Sequence, residues 1–366
     1  MKCPDLRHPG QRRHNWVAQL TPNTDEQWIA SGFEIPWSRH REYLLLCDKS
    51  VSDLLPVRTL GPVPHDTVPV ITVAHNEVTR LRDFVRHYRA IGVRRFIVVD
   101  HCSTDATSAF LLSQPDVDLY RTEAHRARAA GGQMWATGLA RKFAMERWAL
   151  RVDADELLVY DGIDRYSLSD LAALIERRNE TRLYAPMIDM YPRGPILDAC
   201  IEPDTKLVDV APYFDPFFAE GRTYYERSQL ASCAGLLNHR RSRIFSGAAF
   251  QNEDGTPVGF NMGKFPLAKW NDKTAYCCIH CPHPFDENPT YQLAALLHFK
   301  FLGNFEAYNR SVLQLGQAFM GGAQQAGYVD TIEREPTLSL YHKNSCVYEG
   351  PHSLIREGFI QALAWS

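Results

Sequence analysis

Short apolar runs alternate with amphipathic segments from residue 68 onward, and this alternation restricts the possible folds more than any other feature. Four runs have the length and composition of buried strands: residues 68–74, 95–99, 117–120 and 149–152. Residues 81–91, between the first two runs, carry apolar side chains at helical spacing. Strands and helices joined by short connections form a mainly parallel sheet covered by helices on both faces. The sequence therefore predicts an α/β, Rossmann-like fold.

Polar side chains follow three of these predicted strands. Asn76 and Glu77 follow the first strand, Asp100 ends the second, and Asp153 and Asp155 follow the fourth. In sheets of this kind, ligands bind beyond the carboxyl ends of the strands. We therefore expect these side chains to meet around one crevice.

Residues 151–156, Arg-Val-Asp-Ala-Asp-Glu, place three carboxylates within four positions. Clustered acids repel one another and are costly to bury without partners. Hard divalent cations such as Mg²⁺ and Mn²⁺ prefer carboxylate oxygens, so the cluster is a candidate metal site. A solvated turn with an acidic rim is the alternative interpretation.

Composition and charge argue against several classes of protein. The chain has 366 residues and a net charge of −3, so electrostatic capture of nucleic acid is not expected. No apolar run approaches the ~20 residues of a membrane span, and the first residues lack the apolar core of a secretory signal. We expect a cytoplasmic protein without a transmembrane segment, and peripheral contact at the inner face of the membrane stays open.

Cysteine and histidine cluster in one segment, residues 277–283. This segment contains every ligand type that zinc uses, but its spacing differs from that of a zinc knuckle and no second ligand pair follows. The nine cysteines of the chain are an odd number spread over a long sequence, unlike a disulfide framework. Reduced cysteines are the favoured interpretation, and a zinc-binding interaction protein is the alternative.

Three segments together resemble a known family. Residues 72–77, 98–105 and 152–156 match the Asn-Glu, the Asp-x-x-Ser-x-Asp and the Asp-x-Asp-Glu of glycosyltransferases with the GT-A fold. The pattern is similar to family 2 in particular, and to the related group that includes family 92. The resemblance covers residues 68–160 well, thins out through 161–260, and returns weakly near Lys264 and His298.

The resemblance implies a division of the chain into functional regions. Residues 1–67 would be an N-terminal extension that packs on the core, and 68–290 would be the GT-A domain. Within that domain, 68–160 would bind the nucleotide-sugar and 161–290 the acceptor. Residues 291–366 would form a C-terminal helical region, with helices expected at 290–301 and 304–319.

The resemblance also implies roles for individual residues. Those implied to bind the donor, with UDP-sugars favoured, are Asn76, Glu77, Asp100, Ser103, Asp105, Asp153 and Lys264. Asp153 and Asp155 would hold Mn²⁺ or Mg²⁺, completed by His298 or, as alternatives, by His280 or His283. Arg241 and Arg243 are further candidates for phosphate contacts.

The catalytic base is less clearly indicated, because the second acidic motif and the Gln/Arg-x-x-Arg-Trp block of most family-2 enzymes are missing. Asp189, Glu253 and Asp254 are the candidate carboxylates. The expected reaction is an inverting sugar transfer to a glycan or glycolipid acceptor. The alternatives are a nucleotidyltransferase, although residues 75–77 lack its Gly-rich phosphate loop, and an inactive glycan-binding module.

Overall fold

The structure is a computed structural model of the chain. It describes residues 39–216, 222–224, 236–238, 241, 244–245, 260–276, 280, 282–284, 289–290, 292–317 and 322–365. The helices, labelled in chain order, are α1 His40–Ser50, α2 Val78–Ala90, α3 Thr107–Ser113, α4 Gln133–Ala144, α5 Leu168–Arg177, α6 Leu207–Val210, α7 Phe305–Leu315, α8 Ala323–Arg334 and α9 Pro351–Arg356.

A large mixed sheet forms the centre of the molecule. Its strands in chain order are β1 Leu55–Arg58, β2 Val70–Ala74, β3 Phe96–His101, β4 Val117–Thr122, β5 Trp148–Arg151, β6 Glu156–Tyr160, β7 Arg182–Asp189, β12 Gly263–Lys269, β15 Pro289–Thr290 and β16 Ala294–His298. The strands of the smaller sheets are β8 Tyr213–Phe214, β9 Arg222–Tyr224, β10 Leu236–Asn238, β11 Phe260–Asn261, β13 Ala275–Tyr276, β14 Pro282–His283 and β17 Cys346–Val347.

The order of the central sheet is β1-β4-β3-β2-β5-β12-β7-β16-β6, and β15 lies beside β7. Strands β2 to β5 are parallel to one another, and β15 and β16 are parallel to β7. The antiparallel strands are β1, β6 and β12. The predicted α/β fold with a mainly parallel sheet is therefore confirmed.

Helices cover both faces of this sheet, as the sequence predicts. On one face Phe84 of α2 is fully buried in the cluster that contains Val98 of β3. On the other face Trp135 of α4 packs with Val99, the next residue of the same strand. Successive side chains of a strand point to opposite faces. Burying an apolar side chain of this size contributes about 1.5–3 kcal/mol.

Residues 39–67 belong to the same body as the sheet. Helix α1 packs against α4 so closely that a Cβ on Gly138 would lie 2.4 Å from the carbonyl oxygen of Cys47. Strand β1 pairs with β4 and forms one edge of the sheet. The segment thus supplies one packed helix and one edge strand to the core.

The helix expected at residues 290–301 is wrong, because β16 occupies Ala294–His298. Every residue of this strand is buried, and it lies between β7 and β6 inside the sheet. A strand buried on both faces is apolar throughout, so its pattern cannot be distinguished from that of a short buried helix. The helix expected at 304–319 is confirmed over Phe305–Leu315 by α7, and residues 318 and 319 lie outside the described residues. Among the helices described here, none combines the length and the hydropathy that crossing a bilayer requires.

Candidate functional site

The turn between β5 and β6 carries the three clustered carboxylates, and we call residues 153–156 the acidic turn. Strand β5 lies beside β2 and runs parallel to it, and the Val152 amide donates to the Ile71 carbonyl oxygen at 3.3 Å. The Phe299 amide, just beyond β16, donates to the Asp155 carbonyl oxygen at 2.7 Å. The acidic turn therefore lies at the carboxyl edge of the sheet, beside the end of β16.

Asp153 is neutralised by two cations. Its Oδ1 lies 2.5 Å from Nη1 of Arg151, and its Oδ2 accepts from Nζ of Lys264 at 2.7 Å. The same Nζ contacts both carboxylate oxygens of Glu156 at 2.8 Å. Burial opposes ionisation of Asp153, but Arg151 and Lys264 hold its pKa well below the usual range. Burial raises the pKa of Glu156, and Lys264 offsets part of that rise.

The direct ion-pair partner of Asp155 is a histidine; burial opposes ionisation of Asp155, but His298, Lys300 and Arg80 lower its pKa. Its Oδ2 lies 3.3 Å from Nε2 of His298, and Nδ1 of the same ring lies 2.7 Å from Oδ1 of Asp189. Residues 189 and 298 are paired in the parallel register of β7 and β16. Burial lowers the pKa of His298, but Asp155 and Asp189 together raise it above the usual value.

Asp189 holds the histidine ring in one orientation. When the neutral ring donates its Nδ1 hydrogen to Asp189, the Nε2 lone pair faces Asp155. A carboxylate behind an imidazole is the usual means of orienting a metal ligand. Asp189 is also bound by Nη1 of Arg241, at 3.2 and 3.3 Å from its two oxygens. Burial opposes ionisation, but Arg241 keeps the pKa of Asp189 below its usual value.

Three side chains of this region could hold a divalent ion. Asp155, Glu156 and His298 each offer a ligand atom, and these atoms lie within 4.8 Å of one another. Carboxylate oxygens suit Mg²⁺, Ca²⁺ and Mn²⁺, and imidazole nitrogen suits Zn²⁺ and other transition metals, so the donor set admits several divalent ions. The Asp155 side chain is the most open of the three, at 15% exposed. Glu156 is 1% exposed and already contacts Lys264 with both oxygens, so Asp155 and His298 fit an ion best.

The predicted phosphate contacts with described side chains are buried in ion pairs. The Lys264 side chain is 1% exposed and sits between Asp153 and Glu156. The Arg241 side chain is 6% exposed, contacts Asp189, and donates to the hydroxyl of Tyr328 at 2.8 Å. Both cations therefore offset carboxylate charge inside the site.

The ends of β2 and β3 form a different kind of structure, which we call the paired loops, residues 75–77 and 101–105. Oδ1 of Asn76 accepts hydrogen bonds from the Thr104 and Asp105 amides at 2.7 and 3.2 Å. The Asn76 amide donates in turn to Oγ of Ser103 at 2.9 Å. Oδ1 of Asp105 accepts from the Thr107 amide at 2.9 Å. Three of the predicted donor-binding residues thus bind loop backbone.

Two acidic side chains of this region are buried: Asp100, just before the second loop, and Glu77, at the end of the first. The Asp100 side chain is fully buried and accepts from the Ser103 amide at 3.2 Å and from the hydroxyl of Ser108. Glu77 pairs with Arg80 at 3.0 Å. Burial raises the pKa of Glu77 to about 7, against the opposing effect of Arg80.

Arg80 was not singled out by sequence reasoning. Its Nε donates to the Phe299 carbonyl oxygen at 2.9 Å, so the residue joins the start of α2 to the end of β16. The spacing of Glu77 and Arg80, three residues apart at a helix start, was the signal that could have identified the pair.

The alternative metal ligands His280 and His283 do not belong to the group formed by Asp155, Glu156 and His298. Nδ1 of His280 contacts the Gly263 carbonyl oxygen at 2.8 Å, and burial lowers its pKa to about 4. The His283 ring lies 5.8 Å from that of His40. The remaining candidates fall outside the described residues: Arg243, Glu253, Asp254, Cys277, Cys278 and Cys281.

No known protein family and no curated protein matches this sequence. Among solved structures, one similar chain is described as a glucose-1-phosphate thymidylyltransferase from Bacillus anthracis, with 8% identity and a TM-score of 0.23. That similarity covers 37% of this chain and 62% of the other. A UDP-glucose pyrophosphorylase from Acinetobacter baumannii has 10% identity and a TM-score of 0.25, over 80% of this chain and 91% of the other. Scores this low carry no argument about function.

Proposed function

We propose that the protein is a metal-dependent glycosyltransferase that moves a sugar from a nucleotide-diphosphate donor to a glycan or glycolipid acceptor. The observation that carries the proposal is the convergence of Asp155, Glu156 and His298 at one edge of the sheet. Folds of this class bind their ligands at that edge. The resemblance of residues 72–77 and 98–105 to the GT-A pattern supports the same function.

In this proposal Asp155 and His298 hold Mn²⁺ or Mg²⁺, and Asp189 keeps the His298 ring in place. A divalent ion bound there supplies positive charge against the departing diphosphate. Lys264 and Arg241 are already paired with carboxylates, so their charge is not available to the diphosphate. Lys300 is the side-chain cation near Asp155 that has no direct ion pair in the described part of the chain, and a bound ion would add its charge to that of Lys300.

The nucleoside half of the donor is proposed to lie over the paired loops, near Asp100, with a UDP-sugar as the favoured donor. The backbone hydrogen bonds of Asn76 and Ser103 hold these loops in one conformation. A preformed loop loses little entropy when a ligand binds, which favours affinity.

An inverting transfer also needs a carboxylate that takes the proton of the acceptor hydroxyl. Asp189 was a candidate, but its oxygens are already engaged by His298 and Arg241. We therefore assign Asp189 the role of positioning His298. Glu253 and Asp254 remain predictions for the base.

The test is a screen for donor hydrolysis, which needs no acceptor. Purified protein is incubated with UDP-glucose, GDP-mannose or TDP-glucose and MnCl₂, and the products are separated by ion-exchange chromatography. Release of free sugar and nucleoside diphosphate that stops with EDTA is the expected result. Formation of a sugar nucleotide from a sugar 1-phosphate and a nucleoside triphosphate, with pyrophosphate release, would identify a nucleotidyltransferase instead. Glycan binding with no turnover would identify a binding module.

The Asp189→Asn variant separates the two roles considered for that residue. If Asp189 orients His298, the variant should bind Mn²⁺ about 10–100-fold more weakly, as titration calorimetry would measure. If Asp189 were the base, Mn²⁺ affinity would stay unchanged while sugar transfer was lost.

A further inference from the structure

A cavity of about 530 Å³ lies away from the candidate site, between the segment 59–65 and the end of α4. Its walls include Tyr120 of β4, and Lys142 and Phe143 near the end of α4. Arg147, just before β5, completes the lining. A volume of this size is within the range of small-molecule sites. The acidic turn follows β5, whereas Arg147 precedes it, so the cavity and the candidate site lie at opposite ends of that strand.

The charged groups that line this cavity are cationic. Lys142 and Arg147 belong to the lining, and no carboxylate does. Two acids that interact with lining residues have their own partners: Asp118 contacts Arg95 at 2.5 Å, and Asp66, which also feels the charge of Arg147, pairs with Arg94. Arg147 donates to the carbonyl oxygens of residues 63, 64 and 67, which fixes the wall, and it makes no direct ion pair with an acid in the described part of the chain.

Lys142 is held over aromatic rings and not by an acid. Its Nζ lies 5.7 Å from the ring centre of Tyr120 and 5.1 Å from that of Phe143. In the described part of the chain, Lys142 makes no ion pair. A cation over an aromatic face is attracted weakly when exposed, so the ammonium group is free to turn toward an anion.

Tyr120 supplies an aromatic ring to the same wall. The residue is 2% exposed, and the centre of its ring lies 5.7 Å from Nζ of Lys142. The rings of Tyr120 and Phe143 and the two cations therefore form one mixed lining.

We propose that this cavity binds a small organic anion, a phosphate or carboxylate carried on a ring the size of a monosaccharide. Lys142 and Arg147 bind the acidic group, and the ring lies against Phe143. The proposal is independent of the proposed function, because none of these residues belongs to the candidate site and no metal is required.

The experiment measures binding by titration calorimetry with EDTA present, so that no metal-dependent site contributes. The probes are glucose 6-phosphate, glucuronate, glucose and inorganic phosphate. We expect one of the two sugar anions, or both, to bind the unsubstituted chain, while glucose does not bind and inorganic phosphate binds more weakly. The stronger of the two anions identifies phosphate or carboxylate as the preferred group.

Two variants locate the binding. Lys142→Gln should weaken binding of the preferred anion by about tenfold, since it removes a charged donor. Lys206→Gln, a matched charge change at an exposed position outside the cavity, should leave the affinity within about twofold. Failure of both sugar anions to bind would overturn the proposal. Equal affinity for Lys142→Gln and the unsubstituted chain, or inorganic phosphate binding as tightly as the sugar anion, would also overturn it.

Discussion

The acidic turn and the paired loops lie at the same edge of the sheet, yet their polar side chains contact different kinds of partner. In the paired loops, Asn76, Ser103 and Asp105 mostly bind backbone amides a few residues away or on the neighbouring loop. In the acidic turn the partners of the side chains are mainly charged groups, and Lys264 is 111 residues from Asp153 in sequence.

This difference follows from the charge of each segment. An amide or hydroxyl group can be satisfied by nearby backbone, so the paired loops are self-contained. Three carboxylates in four positions exceed what local backbone can offset, and burying them requires cations from elsewhere. Lys264 neutralises Asp153 and Glu156, whereas Asp155 faces the titratable His298. Asp155 is thus the carboxylate of the turn with the greatest capacity to bind an added cation.

The largest expected effect separates the two aspartates of the turn. Asp155→Asn should reduce Mn²⁺-dependent donor hydrolysis by about a thousandfold. The variant removes a ligand of the proposed ion, whose charge would stabilise the departing diphosphate. Asp153→Asn should reduce it only about tenfold, since Asp153 acts through Lys264 and Arg151. Initial rates measured over a range of MnCl₂ concentrations check this. Equal losses in the two variants would show that the aspartates act as an equivalent pair.

The next effect concerns stability and compares two lysines of β12. Lys264→Met should destabilise the protein by about 3–5 kcal/mol, because it leaves the buried Glu156 without its cation and Asp153 with Arg151 alone. Lys269→Met removes a pair with Glu176 in which the side chains are 35% and 53% exposed, and should cost less than about 1 kcal/mol. Urea unfolding curves of both variants provide the measurement. A similar loss for both would contradict the view that the acidic turn depends on an imported charge.

The free energy of unfolding should depend on pH through His101, the first residue of the second paired loop. Burial, assisted by Arg126, lowers the pKa of His101 from 6.5 to about 4. As pH falls below 6.5, His101 binds a proton in the unfolded chain before it does in the folded protein. The stability that depends on a neutral His101 is therefore fully present above pH 6.5 and is lost toward pH 4.

The His101→Gln variant should therefore lose less stability between pH 6.5 and pH 4 than the unsubstituted chain. The expected difference is up to about 2 kcal/mol, after an allowance for partial solvation. Unfolding free energies at several pH values test it. Parallel curves for the two proteins would mean that His101 is protonated equally in both states.

The smallest effect is the loss of a loop-building side chain. Asn76 has a φ of 53°, a conformation that glycine adopts without strain, so Asn76→Gly removes the side-chain hydrogen bonds to residues 104 and 105 and the longer contact to His75. We expect a loss of about 1–2 kcal/mol, read from the thermal midpoint. The exposed Glu146 has a φ of 58° and is the matched control, because Glu146→Gly relieves a positive φ without removing such bonds. A loss in the control as large as that in Asn76→Gly would assign the effect to chain flexibility.

Much of the fold could be predicted from local pattern. Residues 70–74 and 96–101 are strands because a buried parallel strand needs a continuous apolar run, and α5 begins at the capping box that Ser167 and Asp170 form. The same rule failed at 294–298, where an apolar run of five residues fits either structure. The segment forms a strand because it pairs with β7 on one side and with β6 on the other.

The sequence by itself determined that carboxylates would gather at the end of a βα layer, because residues 149–156 contain the strand, the turn and the charged side chains. Tertiary structure alone decided which carboxylate is neutralised and which faces a histidine. Lys264 is 111 residues from Asp153, and His298 is 109 residues from Asp189, so these contacts depend on which strands become neighbours and in which register. Electrostatic pairing depends on distance through space, and that distance is fixed only when the strands have found their neighbours.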